Sequence, residues 1–185
     1  MNLSGDLNHI INKCRNQEPE AQKMLYEQYK DQFYAICLRY VKSHQDAEDV
    51  FIDGFYKILT KVDDFKGDGS FEGWMRKIMV NESLMFLRKR TNLHMTVELP
   101  ERDFSDESEE NESDLDFEKI MQILDELPTG YRTIFNLYVF EGFKHREIAD
   151  LLGISINTSK SQLILAKKRI LEIFKKKQNP RINLV

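Results

Sequence analysis

The chain has 185 residues, enough for one ordinary domain or two small ones, and carries a formal net charge of −4 at pH 7. Its two cysteines form no CxxC pair and its four histidines stand apart from one another, which excludes a disulfide framework and leaves no zinc-ligand spacing. No run approaches the roughly 18–20 apolar residues of a membrane span, and the start MNLSGDLNHIINKC lacks a signal-peptide pattern, so a cytoplasmic protein is expected.

Residues 1–18 are set apart as an N-terminal segment. From Pro19 to Val41, the residues Ala21, Met24, Leu25, Gln28, Phe33, Ile36, Cys37, Tyr40 and Val41 follow helical spacing. Pro19 suits a first turn, where its missing N–H costs nothing, and Cys37 on the stripe reads as a small core residue. Ser43 opens a second helix, with Asp46 placed like the acid of a capping box. Its inward stripe is Ala47, Val50, Phe51, Phe55, Ile58, Leu59 and Val62. Asp46, Glu48, Asp49, Asp53 and Tyr56 are left over as an acidic helix start with an exposed polar face. Acids there also suit the helix dipole, so the pattern alone requires no partner.

Lys66-Gly67-Asp68-Gly69 breaks the chain, and Ser70 caps a third helix from Phe71 to about Arg90. Trp74, Met75, Ile78 and Met79 are spaced to pack inward, and three such helices make a small bundle. The third helix also carries Arg76, Lys77, Asn81, Arg88, Lys89 and Arg90 beside Phe65, Phe71, Trp74 and Phe86, with Lys66 just before it. Cations among aromatics are the chemistry of a single-strand binder, because bases stack on rings while phosphates pair with cations. Most of the same rings have the alternative reading of plain core, and Trp74 is read as core or core edge.

The charge is segregated. Residues 101–118 hold ten of the 31 acids and only one of the 27 bases, so the rest of the chain is formally +5. Such a tract buries too little apolar surface to offset its ordering entropy, and 93–116 is expected to be a flexible acidic linker. Mimicry of DNA, or contact with a basic groove on a partner, are alternative uses of it.

Leu127 to Leu171 reads as two helices, a glycine-containing turn and a third, basic helix. Ile148, Ala149, Leu151 and Leu152 gather on one face. Gly153 supplies cheap left-handed backbone for a corner, and Ser155 caps the last helix. In that helix Ile156, Leu163, Ala166, Ile170 and Phe174 form the expected buried stripe, while Asn157, Thr158, Lys160, Ser161 and Lys168 fall mostly away from it. A short helix, tight turn and second helix presenting an amide, hydroxyls and cations is the plan of a DNA-reading helix-turn-helix. An ordinary helical hairpin with a solvated polar face has the same periodicity.

The wording of these segments adds to the pattern. Leu127-Pro128, Tyr131-Arg132, Phe135, Leu137, Glu141-Gly142, Glu147-Ile148-Ala149, Leu152-Gly153-Ile154-Ser155, Thr158, Lys160-Ser161, Leu163 and Ala166 resemble the region-four domain of sigma-70 superfamily factors. Asp46-Ala47-Glu48-Asp49-Val50, Phe55, Phe71, Trp74, Ile78, Asn81 and Leu87-Arg88-Lys89 resemble region two. Region two, a short linker and region four, with no room for region three, is the layout of extracytoplasmic-function (ECF, group four) sigma factors. Ser159 stands at a normally apolar site, Ile52 where Gln is common, and Gln162, Ile164 and Leu165 where basic residues or His are common.

The resemblance implies an all-α chain of two small helical domains, region two at 19–92 and region four at 117–177, with a tail at 178–185. It implies that Asp46, Glu48, Asp49, Asp53 and Tyr56 bind the polymerase core, through the beta-prime coiled coil. Phe65, Lys66, Trp74, Arg76, Lys77, Asn81, Arg88, Lys89 and Arg90 are then expected at the −10 element, which is opened with a flipped base. Arg146, Asn157, Thr158, Lys160, Ser161, Gln162, Lys167 and Lys168 are expected at the −35 element. The implied partners are RNA polymerase core (beta-prime and beta subunits), promoter DNA and an anti-sigma factor, with a free monomer, no metal and no cofactor. No P-loop is present and no enzymatic activity is expected. A stand-alone helix-turn-helix regulator is the competing reading, and an enzyme holding a metal on the acids of 101–118 is a third. That last site lacks the preorganised ligands a metal needs.

Overall fold

In a computed structural model of the chain the described residues are 3–91 and 117–178, with side chains described for 7–90 and 119–177. The expected acidic linker at 93–116 lies outside them, as does nearly all of the 178–185 tail. Among the described residues there are eight α-helices and no strand, in two compact units.

The first unit holds α1 (Leu3–Arg15), α2 (Pro19–Tyr40), α3 (His44–Thr60), a 3-10 turn (Val62–Asp64) and α4 (Phe71–Thr91). Local chemistry sets most of the boundaries. Pro19 stands in the first turn of α2. Ser43 Oγ accepts the Asp46 N–H at 3.3 Å, and Ser70 Oγ accepts the Gly73 N–H at 2.9 Å, so both hydroxyls satisfy donors that a helix start leaves open. The core is Leu25, Phe33, Ile36, Cys37 and Tyr40 of α2 against Ala47, Phe51, Phe55 and Ile58 of α3 and Met75, Met79, Leu84 and Leu87 of α4. Gly54 lets α3 and α4 close up, since a Cβ there would sit 2.6 Å from Met79 Sδ.

Residues 1–18, given as an N-terminal segment, supply α1, which packs on α2 through buried Ile11 and Cys14. One expectation is corrected by the packing. Met24 and Gln28, expected on the α2 stripe, are exposed because they sit on its solvent side.

The second unit holds α5 (Phe117–Asp125), α6 (Thr129–Phe135), a π-helical turn (Asn136–Phe140), α7 (His145–Leu152) and α8 (Ile156–Gln178). Ile123, Leu124 and Leu127 pack on Ile173, with Phe135, Phe140, Ile170 and Phe174 around them. Arg132 is fully buried and donates to Asp125 at 2.7 Å, tying α6 to α5. The π turn inserts a residue, so the Glu141 N–H reaches back to the Asn136 carbonyl at 3.0 Å. Ile156, expected in the buried stripe of α8, is 44% exposed. As the first residue of α8 it stands one turn before the helix meets its neighbours, and Ile173 takes a core place instead.

Candidate nucleic-acid and partner interfaces

On α3 the packed side is Ala47, Val50, Phe51, Gly54, Phe55 and Ile58. The remaining side therefore presents Glu48, Asp49, Ile52, Asp53 and Tyr56, all exposed. The only Lys or Arg of α3 itself, Lys57, is held by Glu82 of α4 at 2.6 Å, and the face carries carboxylates around two apolar groups. Ile52 is 56% and Tyr56 69% exposed, a core for a contact with a rim of negative charge. Asp46 departs from the expected set. It is half-buried and paired with Arg90 at the far end of α4.

On α4 the cations divide. Trp74, Lys77, Asn81, Met85 and Arg88 succeed one another at helical spacing, a stripe running about 20 Å along the helix. Lys77 and Arg88 are exposed, and Trp74 and Asn81 half-buried. Lys89 is exposed at the margin of this stripe, and Lys66 is exposed in the loop before it. Arg76 is half-buried and Arg90 exposed, and both have carboxylate partners. Arg76 donates to Glu72 at 3.3 Å, and Glu72 also accepts from Gln32 of α2 at 2.7 Å. Arg90 meets Asp46, with its guanidinium 5.5 Å from the centre of the Phe86 ring. Both arginines were expected at the DNA; the Arg76–Glu72 pair lies within α4, and Arg90 reaches α3 while staying exposed. Phe65, expected there too, is buried, edge-on to Phe71 at 5.1 Å and tilted against Trp74 at 5.9 Å. Its ring supports Trp74, whose own ring stacks on Phe71 at 5.4 Å.

In the second unit Gly153 takes φ 68°, a left-handed corner that a Cβ would strain. Ser155 Oγ accepts the Thr158 N–H at 2.9 Å and lies 2.8 Å from Thr158 Oγ1. Ser161 Oγ donates to the Thr158 carbonyl at 3.1 Å. Both hydroxyls expected to read DNA thus have helix partners, while Asn157, Lys160, Lys167 and Lys168 of α8 and Arg146 of α7 are exposed. Gln162 is a plain correction: it is fully buried, since it lies on the packed side with Leu163 and Ala166. Ser159 is buried too and meets His145 Nδ1 at 2.9 Å, and the His145 ring stacks on Tyr138 at 4.7 Å. That polar tie between α7 and α8 was not foreseen; its only trace in the sequence is a serine at an apolar site.

Comparison with known proteins gives the same division. Residues 25–92 match the family described as sigma-70 region 2, and residues 117–170 match sigma-70, region 4. The RNA polymerase sigma factor SigV of Bacillus subtilis is 33% identical over 140 residues, covering 76% of this chain and 82% of that one.

The chain belongs to the sigma-70 family, as an ECF-type RNA polymerase sigma factor.

Sigma factors direct RNA polymerase to promoters for transcription initiation, and the stand-alone regulator reading gives way to that. The ECF RNA polymerase sigma-E factor of Haemophilus influenzae is 24% identical over 174 residues, covering 87% of this chain and 91% of that one. The fold is shared with the sigma factor RpoE of Bartonella quintana, solved with the anti-sigma factor NepR. The likeness has a TM-score of 0.54 at 24% identity and covers 83% of this chain and 96% of that one. Among the described residues of this sigma factor no helix is long and apolar enough to cross a membrane, and no cluster of His, Cys, Asp or Glu is arranged to hold a metal.

Proposed function

We propose that the two units of this sigma factor divide promoter recognition between three faces. The face of α3 formed by Glu48, Asp49, Asp53 and Tyr56 docks on the polymerase core, at the beta-prime coiled coil. The stripe Trp74, Lys77, Asn81 and Arg88, with Lys66 and Lys89 at its margins, tracks the unwound non-template strand at the −10 element. There Trp74 offers a stacking surface and Asn81 an amide for a base edge. Asn157 and Lys160, with Arg146, Lys167 and Lys168 on phosphates, read the −35 element in duplex form. The beta subunit takes the remaining contact with the second unit.

The observation that carries this reading is what packing leaves over. After the cores are filled, α3 keeps an exposed face with acids, its own Lys57 being paired with Glu82, while α4 and α8 keep exposed cations beside an amide. Faces of opposite sign suit opposite partners: a basic protein surface and a polyanion. An anti-sigma factor is a further partner, as in the RpoE–NepR complex, and one occluding the α3 face would block core binding. The work is done in the cytoplasm, by a monomer when free, without cofactor and without catalysis.

Run-off transcription with bacterial core polymerase, combined with start-site mapping, tests this. Initiation at a defined set of promoters only when the chain is added is the expected result. Tight sequence-specific binding by the free chain, with no effect on core polymerase, would refute it.

A further inference from the structure

We propose that Arg15 of α1 is a positioning residue for promoter opening, holding the 66–69 loop in a preformed shape before the unwound strand arrives. This rests on the proposed assignment of that loop and α4 to the −10 element.

The loop stands between two posts. At its far end Ser70 is fixed by capping α4 and by its carbonyl, which accepts the Trp74 N–H at 3.1 Å. At its near end Phe65 is fixed twice, by its ring among Phe71 and Trp74, and by its carbonyl, which accepts from Arg15 Nη2 at 2.7 Å. The same guanidinium faces Asp63 through Nε at 3.8 Å and donates through Nη1 to Asn12 at 3.2 Å. A planar fork can serve a carbonyl, a carboxylate and an amide at once; an ammonium group has no such geometry.

Between the posts Lys66, Gly67, Asp68 and Gly69 are all exposed. Gly67 and Gly69 take φ values of 86° and 91°, and a Cβ on either would meet nothing within 4 Å. No packing inside the loop sets its shape, so its ends do. A loop ordered only on capture pays its backbone entropy at that moment, and fixing the ends beforehand removes part of that cost. The helix that supplies Arg15 is itself anchored, through Ile11 and Cys14, with the Glu18 N–H returning to the Lys13 carbonyl at 3.1 Å after Gln17 at φ 57°. It lies outside the 25–92 match, so nothing in that resemblance assigns it a part in reading DNA.

The test uses the full chain with core polymerase and a promoter found by start-site mapping, comparing Arg15→Ala and Arg15→Lys with the parent. The probe is a single-stranded non-template oligonucleotide spanning the −10 element, matched or with one base changed, bound by holoenzyme. Both variants are expected to lower the matched-to-mismatched selectivity roughly fivefold to tenfold, the effect of one charge-assisted hydrogen bond at a half-exposed site. Core binding should stay at the parental level. A lower melting temperature with unchanged selectivity overturns the proposal, because it reduces Arg15 to a structural tie. Lys66→Ala separates the two readings. If it loses selectivity while the Arg15 variants keep it, only the role of Arg15 fails; if neither changes selectivity, the loop assignment fails. Should Arg15→Ala not fold, amide exchange in Arg15→Lys decides: faster exchange at 66–69 with α2–α4 unchanged supports the clasp, and unchanged exchange there refutes it.

Discussion

Replacing Gln162 by methionine is expected to stabilise the second unit while leaving −35 binding untouched. The Gln162 side chain is fully buried, and neither Nε2 nor Oε1 has a hydrogen-bond partner. An amide buried without partners costs about 1–3 kcal/mol, and with both ends orphaned the upper part of that range applies. Methionine has the same unbranched length, so the swap leaves little cavity, and a volume-conserving change costs under about 1.5 kcal/mol. The net gain is about 1–2 kcal/mol. In a unit of about 60 residues that corresponds to a rise of roughly 4–8 °C in Tm for each kcal/mol. Urea unfolding monitored by far-UV circular dichroism is the assay, with the midpoint rising at constant slope. A loss of more than about 1 kcal/mol would mean that the amide is paired after all. A tenfold fall in −35 affinity would mean that the side chain reaches DNA, and the packing of α8 would have to be redrawn.

Each face carries its own expectation. Asp49→Lys with Asp53→Lys should abolish pull-down by core polymerase while the dichroism spectrum stays helical; retained binding would remove the α3 face from the interface. Lys77→Ala or Arg88→Ala should reduce permanganate reactivity of unpaired −10 thymines with little change in low-temperature footprints. Lys160→Ala should instead weaken the closed complex and lower the salt slope by about one. Equal loss of both signals in both sets would refute the division of labour. Burial pushes the Cys37 thiol up to about 12, and Cys14 is raised for the same reason, so iodoacetamide should label neither until the chain is unfolded. Rapid labelling of the folded chain would contradict the packing of α2.

Local chemistry was legible in the sequence. Ser43, Ser70, Ser155 and Gly153 act through their own backbone and the next turn, so their roles can be read from a few residues of context. The exposed parts of the candidate faces were legible for the same reason, because helical spacing separates Asp49 and Asp53 from the α3 core and Asn157 and Lys160 from that of α8. The features that escaped depend on distant neighbours. Arg90 is paired with Asp46, forty-four residues away, and Arg15 is bound to a carbonyl fifty residues on. Gln162 and Ser159 are polar and turn inward, against the rule that polarity marks the surface. Residues 1–18 were read without a helix because, among the described side chains, α1 buries Ile11 and Cys14, too few to make a stripe. The π turn at Asn136–Phe140 carries no composition signal, and its sequence reads as continuous helix.

The aromatic group beneath the loop has a practical consequence. Trp74 is the only tryptophan in the chain, half-buried and stacked on Phe71. Light absorbed beyond the tyrosine band is therefore emitted from one place, beside the posts that frame Lys66–Gly69. The free protein thus carries an intrinsic optical reporter there. A base laid on the indole quenches it, and loosening of the loop shifts its colour toward that of a water-exposed ring.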